Sequence, residues 1–405
     1  MVISRLEAAG ESLGWEEAFR SAHKVLLDCA TSEYLFCSDF WAESSAEMFD
    51  AVFSGVLSQV EYSTSREISH CNDPVALLIA AKCVRNHQLV MARRAVPALD
   101  QYHDRVALLL WPRAKKLLED NAKSLESIGA RTAQCENLHS PHQAILRYAE
   151  LGAAVDVLSS ETDGHLDMVT ERLRDAAWAL VERVGSTFAN SHLEKEAFKA
   201  ANAKAVKEAF QRENSSFALN AGTSGNLAAS SQNVGSGGTS AGTGGLRTGN
   251  SGTSSSSGSV SLAHSNVGSF FESKLENALD AIADSEAQRC MGEIISVVEE
   301  LEQRNGSDDA DEALRKATEA LRSFGGRWRK ALHDVDNGAR TAVGGDDLGR
   351  EAAQKALSKS LSWYARLAGQ GGILERMGER GRQIASKDSV GQPAILGEVK
   401  RLTQQ

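Results

Sequence analysis

Proline is scarce: the chain has 5 in 405 residues, and four of them lie before residue 142. An interior proline removes a helix hydrogen bond, so this scarcity permits long helices. The six cysteines (Cys29, Cys37, Cys71, Cys83, Cys135 and Cys290) are scattered and form no CxxC pair. That usage argues against a disulfide framework and predicts reduced, buried thiols in a cytosolic protein. No basic block exists and the net charge is −10, which disfavours nucleic acid, because phosphate contacts need clustered Lys and Arg. The longest apolar run, Val75 to Ala81, falls far short of the ~20 residues of a membrane span. The first residues, Met1 to Arg5, lack the apolar core of a signal peptide. Any membrane role is therefore expected to be peripheral or to run through partners. The phosphate-loop pattern GxxxxGK(S/T), GxGxxG and HExxH are all missing; Gly242 and Gly244 have no third glycine to complete a dinucleotide turn.

What is present is helical periodicity. With 42 % hydrophobic and 24 % charged residues the chain falls in the range of folded globular proteins. Residues 1–213 read as helices separated by short breaks. Ser44 with Glu47 fits a capping box ahead of Met48 and Phe49, Asp73-Pro74 places a capping carboxylate before a first-turn proline, and Ser140-Pro141 repeats that device. Leu99, Tyr102, Val106 and Leu109 step by three and four, as do Leu166, Val169, Leu173, Ala177, Leu180 and Val184. Residues 214–268 then turn to Gly, Ser, Thr and Asn, with Arg247 as their single charge and no acidic residue. Such a stretch buries too little apolar surface to offset chain entropy and reads as a disordered linker. Residues 269–405 resume helical stripes, among them Leu314, Ala317, Leu321, Phe324, Trp328 and Leu332, and then Leu357, Leu361, Tyr364 and Ala368.

Few residues carry a pattern that points to chemistry. Cys135, His139 and His142, spaced C-x3-H-x2-H, are the best metal candidates, but no fourth ligand is evident and Ser140-Pro141 between the histidines reads as an ordinary helix start. Glu299, Glu300 and Glu302 read as a solvated face. His23 and His103 sit inside helical patterns with no nucleophile to pair with. Arg93, Arg94, Arg113, Lys115 and Lys116 read as solubilising charge. The residues alone thus predict no catalytic, cofactor or metal site, no enzyme, and no assignable partner-binding residue.

One segment is distinctive: Met91 through Ala95, then Val96, Pro97, Ala98, Leu99, Asp100 and Tyr102, continuing to Leu108, Trp111, Pro112 and Arg113. Pro97 suits a first helical position with Asp100 near the positive helix end, and Pro112 predicts a kink or restart beside a large buried Trp111. This segment resembles the C-terminal half of the vacuolar protein sorting-associated protein 52 family. Ser32 to Phe36 is similar to that family's "SEYLF" entry, Arg147 to Glu150 to its "RYAE" element, and Ser323 to Trp328 to its later "GFGSSW" element, in the same order. The family's N-terminal coiled-coil region has no counterpart in this sequence.

The resemblance implies an all-α, elongated helical-bundle rod of the multisubunit tethering-complex type, interrupted by a disordered insertion. The parts are 1–213 helical bundles, 214–268 linker and 269–405 a C-terminal helical bundle. It further implies a subunit of the Golgi-associated retrograde protein and endosome-associated recycling complexes. Partners would be the sister subunits 51, 53 and 54 of the same sorting series, a Rab-type GTPase and SNAREs, at the cytoplasmic face of the trans-Golgi network and endosomes. Two alternatives stand beside it: a helical scaffold that has lost the tether role, and a metal or thiol enzyme built on Cys135, His139 and His142.

Overall fold

A computed structural model describes residues 14–129, 139–159, 164, 166–188, 192–230, 266–303, 310–344 and 346–404. Their regular structure is helical throughout, and no strand occurs among the described residues. In chain order the helices are α1 (Trp15–Trp41), α2 (Ser45–His70), α3 (Pro74–Arg94), α4 (Asp100–Ser127), α5 (Gln143–Ser159), α6 (Asp167–Gly185) and α7 (His192–Ser230). There follow α8 (Asn266–Gln303), α9 (Ala310–Val343), α10 (Asp346–Ala368) and the short α11 (Ile373–Arg376), α12 (Glu379–Asp388) and α13 (Gln392–Thr403). Helix α7 runs to Ser230, into the stretch that the composition assigns to the linker, and α8 begins at Asn266. Residues 231–265 lie outside the described residues. No helix among those described is long and apolar enough to cross a membrane.

The chain divides into two compact units, one of residues 1–114, 150–166 and 208–269, the other of residues 115–149, 167–207 and 270–405. In the first unit α1 packs against α2 and α3. Its buried face is Phe19, His23, Leu26, Leu27, Ala30 and Cys37, a helical stripe that meets the stacked Phe49 and Phe53 of α2 through Tyr34. Asp73 caps α3 as its sequence predicts: the carboxylate accepts from the Val75 amide at 2.9 Å, with Pro74 in the first turn. Ser44 does not act as expected, because its side chain makes no cap hydrogen bond and a 3-10 turn, Ala42–Ser44, leads directly into α2. Helix α3 ends at Ala95 in the left-handed region (φ 55°), and the Val96 amide donates to the Met91 carbonyl at 3.1 Å. That closing geometry usually employs glycine.

The distinctive segment spans the last turn of α3, a short connection and the first half of α4, with three corrections. The helix starts at Asp100, and Pro97 instead opens the preceding turn, its carbonyl accepting from the Asp100 amide at 3.1 Å. Helix α4 continues unbroken through Pro112, which lies on the exposed side, where the carbonyl it leaves unpaired, that of the exposed Leu108, can be met by water. Leu110 is fully buried while Leu109 is 37 % exposed, and Trp111 is only half-buried. The helix period accounts for this. At about 100° per residue, Leu110 stands about 40° from Val106 and Trp111 about 140° from it, off the core stripe.

In the second unit α6 buries Val169, Leu173, Ala177, Leu180 and Val184, the stripe its periodicity predicts. Trp178 gathers with Phe270 and Phe271 of α8, and Phe271 meets Tyr148 at 5.8 Å between ring centroids. Helices α9 and α10 pack against each other, Phe324 meeting Tyr364 at 5.3 Å, and the Tyr364 hydroxyl donates to the Val390 carbonyl at 2.8 Å.

Candidate interaction surface

The polar residues singled out by sequence are mostly engaged in holding helices together. His23 and Tyr102 join α1 to α4. The His23 Nδ1–H donates to the Phe19 carbonyl at 2.9 Å, which leaves Nε2 to accept from the Tyr102 hydroxyl at 2.7 Å. Burial pushes His23 down to about 4 and Tyr102 up to about 12. His103 is also buried, its Nδ1 finds no partner among the described residues, and burial together with the neighbouring His87 and His23 lowers it to about 4. These histidines are neutral pieces of core, and among the described residues no group of three or more His, Cys, Asp or Glu is placed to hold a metal ion.

The Cys135, His139 and His142 set is not assembled as a site by what is described. Cys135 lies outside the described residues. The His139 ring packs against Gly344, where φ is 68° and an added Cβ would fall 2.3 Å from the ring. His142, and not Ser140 as expected, begins α5: its Nδ1 accepts from the Ala144 amide at 3.2 Å, and its own amide donates to the Asn202 side chain at 2.9 Å. Asn202 is fully buried and is held in turn by the Phe198 carbonyl at 2.8 Å.

Charged residues are likewise tied into cross-helix pairs. Glu300 pairs with Lys316 at 3.0 Å, and Glu302 with Arg366 at 2.5 Å. Arg94 lies 3.6 Å from Asp28, while Arg113 donates to the Cys71 carbonyl at 2.9 Å and so covers the end of α2. Arg93, Lys115 and Lys116 are exposed. Of the thiols, Cys37 is buried, but Cys29 is exposed, against the expectation of buried cysteines. Burial pushes Cys71, Cys83 and Cys290 above the ordinary thiol range, which lowers their thiolate fraction and their reactivity.

The surface that stands out is apolar. At the end of α1, Phe36 is 53 % exposed, Phe40 70 % and Trp41 37 %. The three rings pack on one another at 5.8 Å (Phe36 to Phe40), 5.7 Å (Phe36 to Trp41) and 4.9 Å (Phe40 to Trp41). Leu35 beside them is exposed too, as are Met48, Val52 and Val56 of α2, which recur every four residues and so share one side of that helix. Clustered exposed aromatics mark contact surfaces, since each ring left in water forgoes its burial free energy. Sequence reasoning passed over them, although a signal was present: between Lys24 and Arg66 there is no Lys or Arg, while Asp28, Glu33, Asp39, Glu43, Glu47, Asp50 and Glu61 all fall in that interval.

The comparisons agree with the distinctive segment. A family model described as "Vps52, C-terminal" matches residues 1–233. Vacuolar protein sorting-associated protein 52 A of Arabidopsis thaliana is 38 % identical over 183 residues, covering 45 % of this chain and 26 % of that protein. The human vacuolar protein sorting-associated protein 52 homolog is 34 % identical over 144 residues, covering 35 % of this chain and 20 % of that protein. The Schizosaccharomyces pombe protein 52 is 24 % identical over 147 residues. The chain thus aligns with about a quarter of the length of these relatives. No solved structure matches it. With the family match covering residues 1–233, more than half of its length, this chain belongs to the Vps52 C-terminal family.

Proposed function

We propose that this chain is a non-catalytic subunit of a vesicle-tethering complex that serves retrograde transport from endosomes to the trans-Golgi network, working through protein–protein contacts on helical faces. The observation that carries the reading is the family match over residues 1–233. The exposed aromatic group on α1 supports it, because a subunit that works by being held needs apolar surface to offer. The pairing of the polar clusters with one another, described above, supports a binding role over a chemical one. The partners in this reading are the sister subunits 51, 53 and 54 of the vacuolar protein sorting series, a Rab-type GTPase and SNAREs, with peripheral membrane association through them. Affinity purification of the endogenous protein tests it. Recovery of the sister subunits is expected, and their absence from the eluate while they still copurify with each other would overturn it.

A further inference from the structure

The aromatic group on α1 has a charge environment that selects its partner. Asp39, Glu43, Glu47 and Asp50 are exposed residues in or beside the stretch that carries Phe36, Phe40 and Trp41, and none of them pairs with a Lys or Arg among the described residues. The two acids of this interval that do find a cation, Asp28 and Glu61, take theirs from elsewhere in the chain, Arg94 and Arg105. An apolar centre thus sits in a border of one sign.

Three occupants are conceivable for such a surface, and charge separates them. An anionic membrane surface is repelled by unpaired carboxylates. A second copy placed on a two-fold axis would set the same acidic border against itself. A partner whose apolar stripe is flanked by Lys and Arg fills both requirements, burying the rings and neutralising the carboxylates at the rim. The exposed side of a helix, ridged by rings four residues apart at Phe36 and Phe40, is matched by another helix, whose side chains recur at the same spacing. We infer that the Phe36, Phe40 and Trp41 face of α1 is a docking surface for a basic amphipathic helix of a partner protein. The inference rests on exposure and charge, so it stands or falls separately from the tether reading, which copurification tests.

The test uses the full chain and three synthetic peptides of about 20 residues, long enough for about five helical turns. One carries a leucine stripe flanked by lysines, the second the same stripe flanked by glutamates, and the third the lysines with serines in place of the stripe. Fluorescence anisotropy is expected to show the first peptide binding at least ten-fold tighter than either of the others, with affinity falling between about 50 and about 500 mM salt. Phe36→Ser with Phe40→Ser is expected to weaken that binding at least about ten-fold, with the melting curve nearly unchanged because both rings are exposed. A second variant, Asp39→Lys with Glu43→Lys, keeps the rings and is expected to shift preference from the lysine-flanked toward the glutamate-flanked peptide. It carries the test alone should the serine variant fail to fold. Equal affinity for the first two peptides, or affinity unchanged by both variants, would overturn the inference. So would dimerisation in sedimentation that requires Phe36 and Phe40, which would assign the face to a second copy. Binding to phosphatidylserine vesicles that requires the same rings would overturn it in favour of a membrane.

Discussion

Lowering the pH from about 8 to about 5 is expected to destabilise the first unit through His23 and His103. Each has a pKa of 6.5 when unfolded and about 4 in the fold, chiefly because burial disfavours the charged ring. His87 opposes charge on both, while Asp104 favours charge on His103 more weakly. A folded pKa below the unfolded one means that the unfolded chain takes up protons first. The contribution is therefore complete above about pH 6.5, is lost as the pH falls toward about 4, and changes little below that. At about pH 5 the loss amounts to about 2 kcal/mol per histidine, or about 4 kcal/mol for the pair, a large fraction of the ~5–15 kcal/mol by which domains are folded. Urea unfolding followed by circular dichroism across this range measures it. Because carboxylates also titrate at the acid end, the decisive comparison is with His103→Leu, which removes one titrating site. Its Nδ1 has no partner among the described residues, so the substitution forfeits no bond there. The variant is expected to gain about 2 kcal/mol on the parent between about pH 8 and about pH 5. A gap between the two proteins that stays constant with pH would refute the reasoning.

Three further outcomes follow from packing and backbone geometry. Ala95→Gly relieves a left-handed alanine at the end of α3 and is expected to raise stability by up to ~1 kcal/mol in chemical denaturation, part of the gain being offset by the freer unfolded chain. Asn202→Ala leaves the His142 amide at the start of α5 without its acceptor and is expected to cost ~1–3 kcal/mol, with faster hydrogen exchange at that amide. Trp111→Ala is expected to lower stability by about 1–2 kcal/mol in thermal melts, less than the ~3–5 kcal/mol of a fully buried tryptophan, because the side chain is half-buried.

The helical class was legible in the sequence for simple reasons. Prolines are few, apolar residues recur at three and four over Leu166 to Val184, and Asp73-Pro74 marks a helix start with a local hydrogen bond that needs no distant partner. Family membership was legible as well, since the residues from Met91 to Arg113 and from Ser32 to Phe36 resemble it as strings. Where local signals compete, the sequence was less decisive. Ser44 looks like a cap, yet it is the last residue of a 3-10 turn and its side chain makes no cap bond, and His142 takes the starting position expected for Ser140 because Asn202, sixty residues away, meets its amide. Leu109 against Leu110 is a choice of about 100° around one helix, and only the neighbours of α4 decide which side is core. The same holds for the face offered to partners. Sequence by itself determined that aromatic residues and unopposed acids lie together between Lys24 and Arg66. Tertiary structure decided that Phe49 and Phe53 turn inward while Phe36, Phe40 and Trp41 stay in water, because α1 has one side to bury against α2 and α3 and His23, Leu27 and Ala30 occupy it.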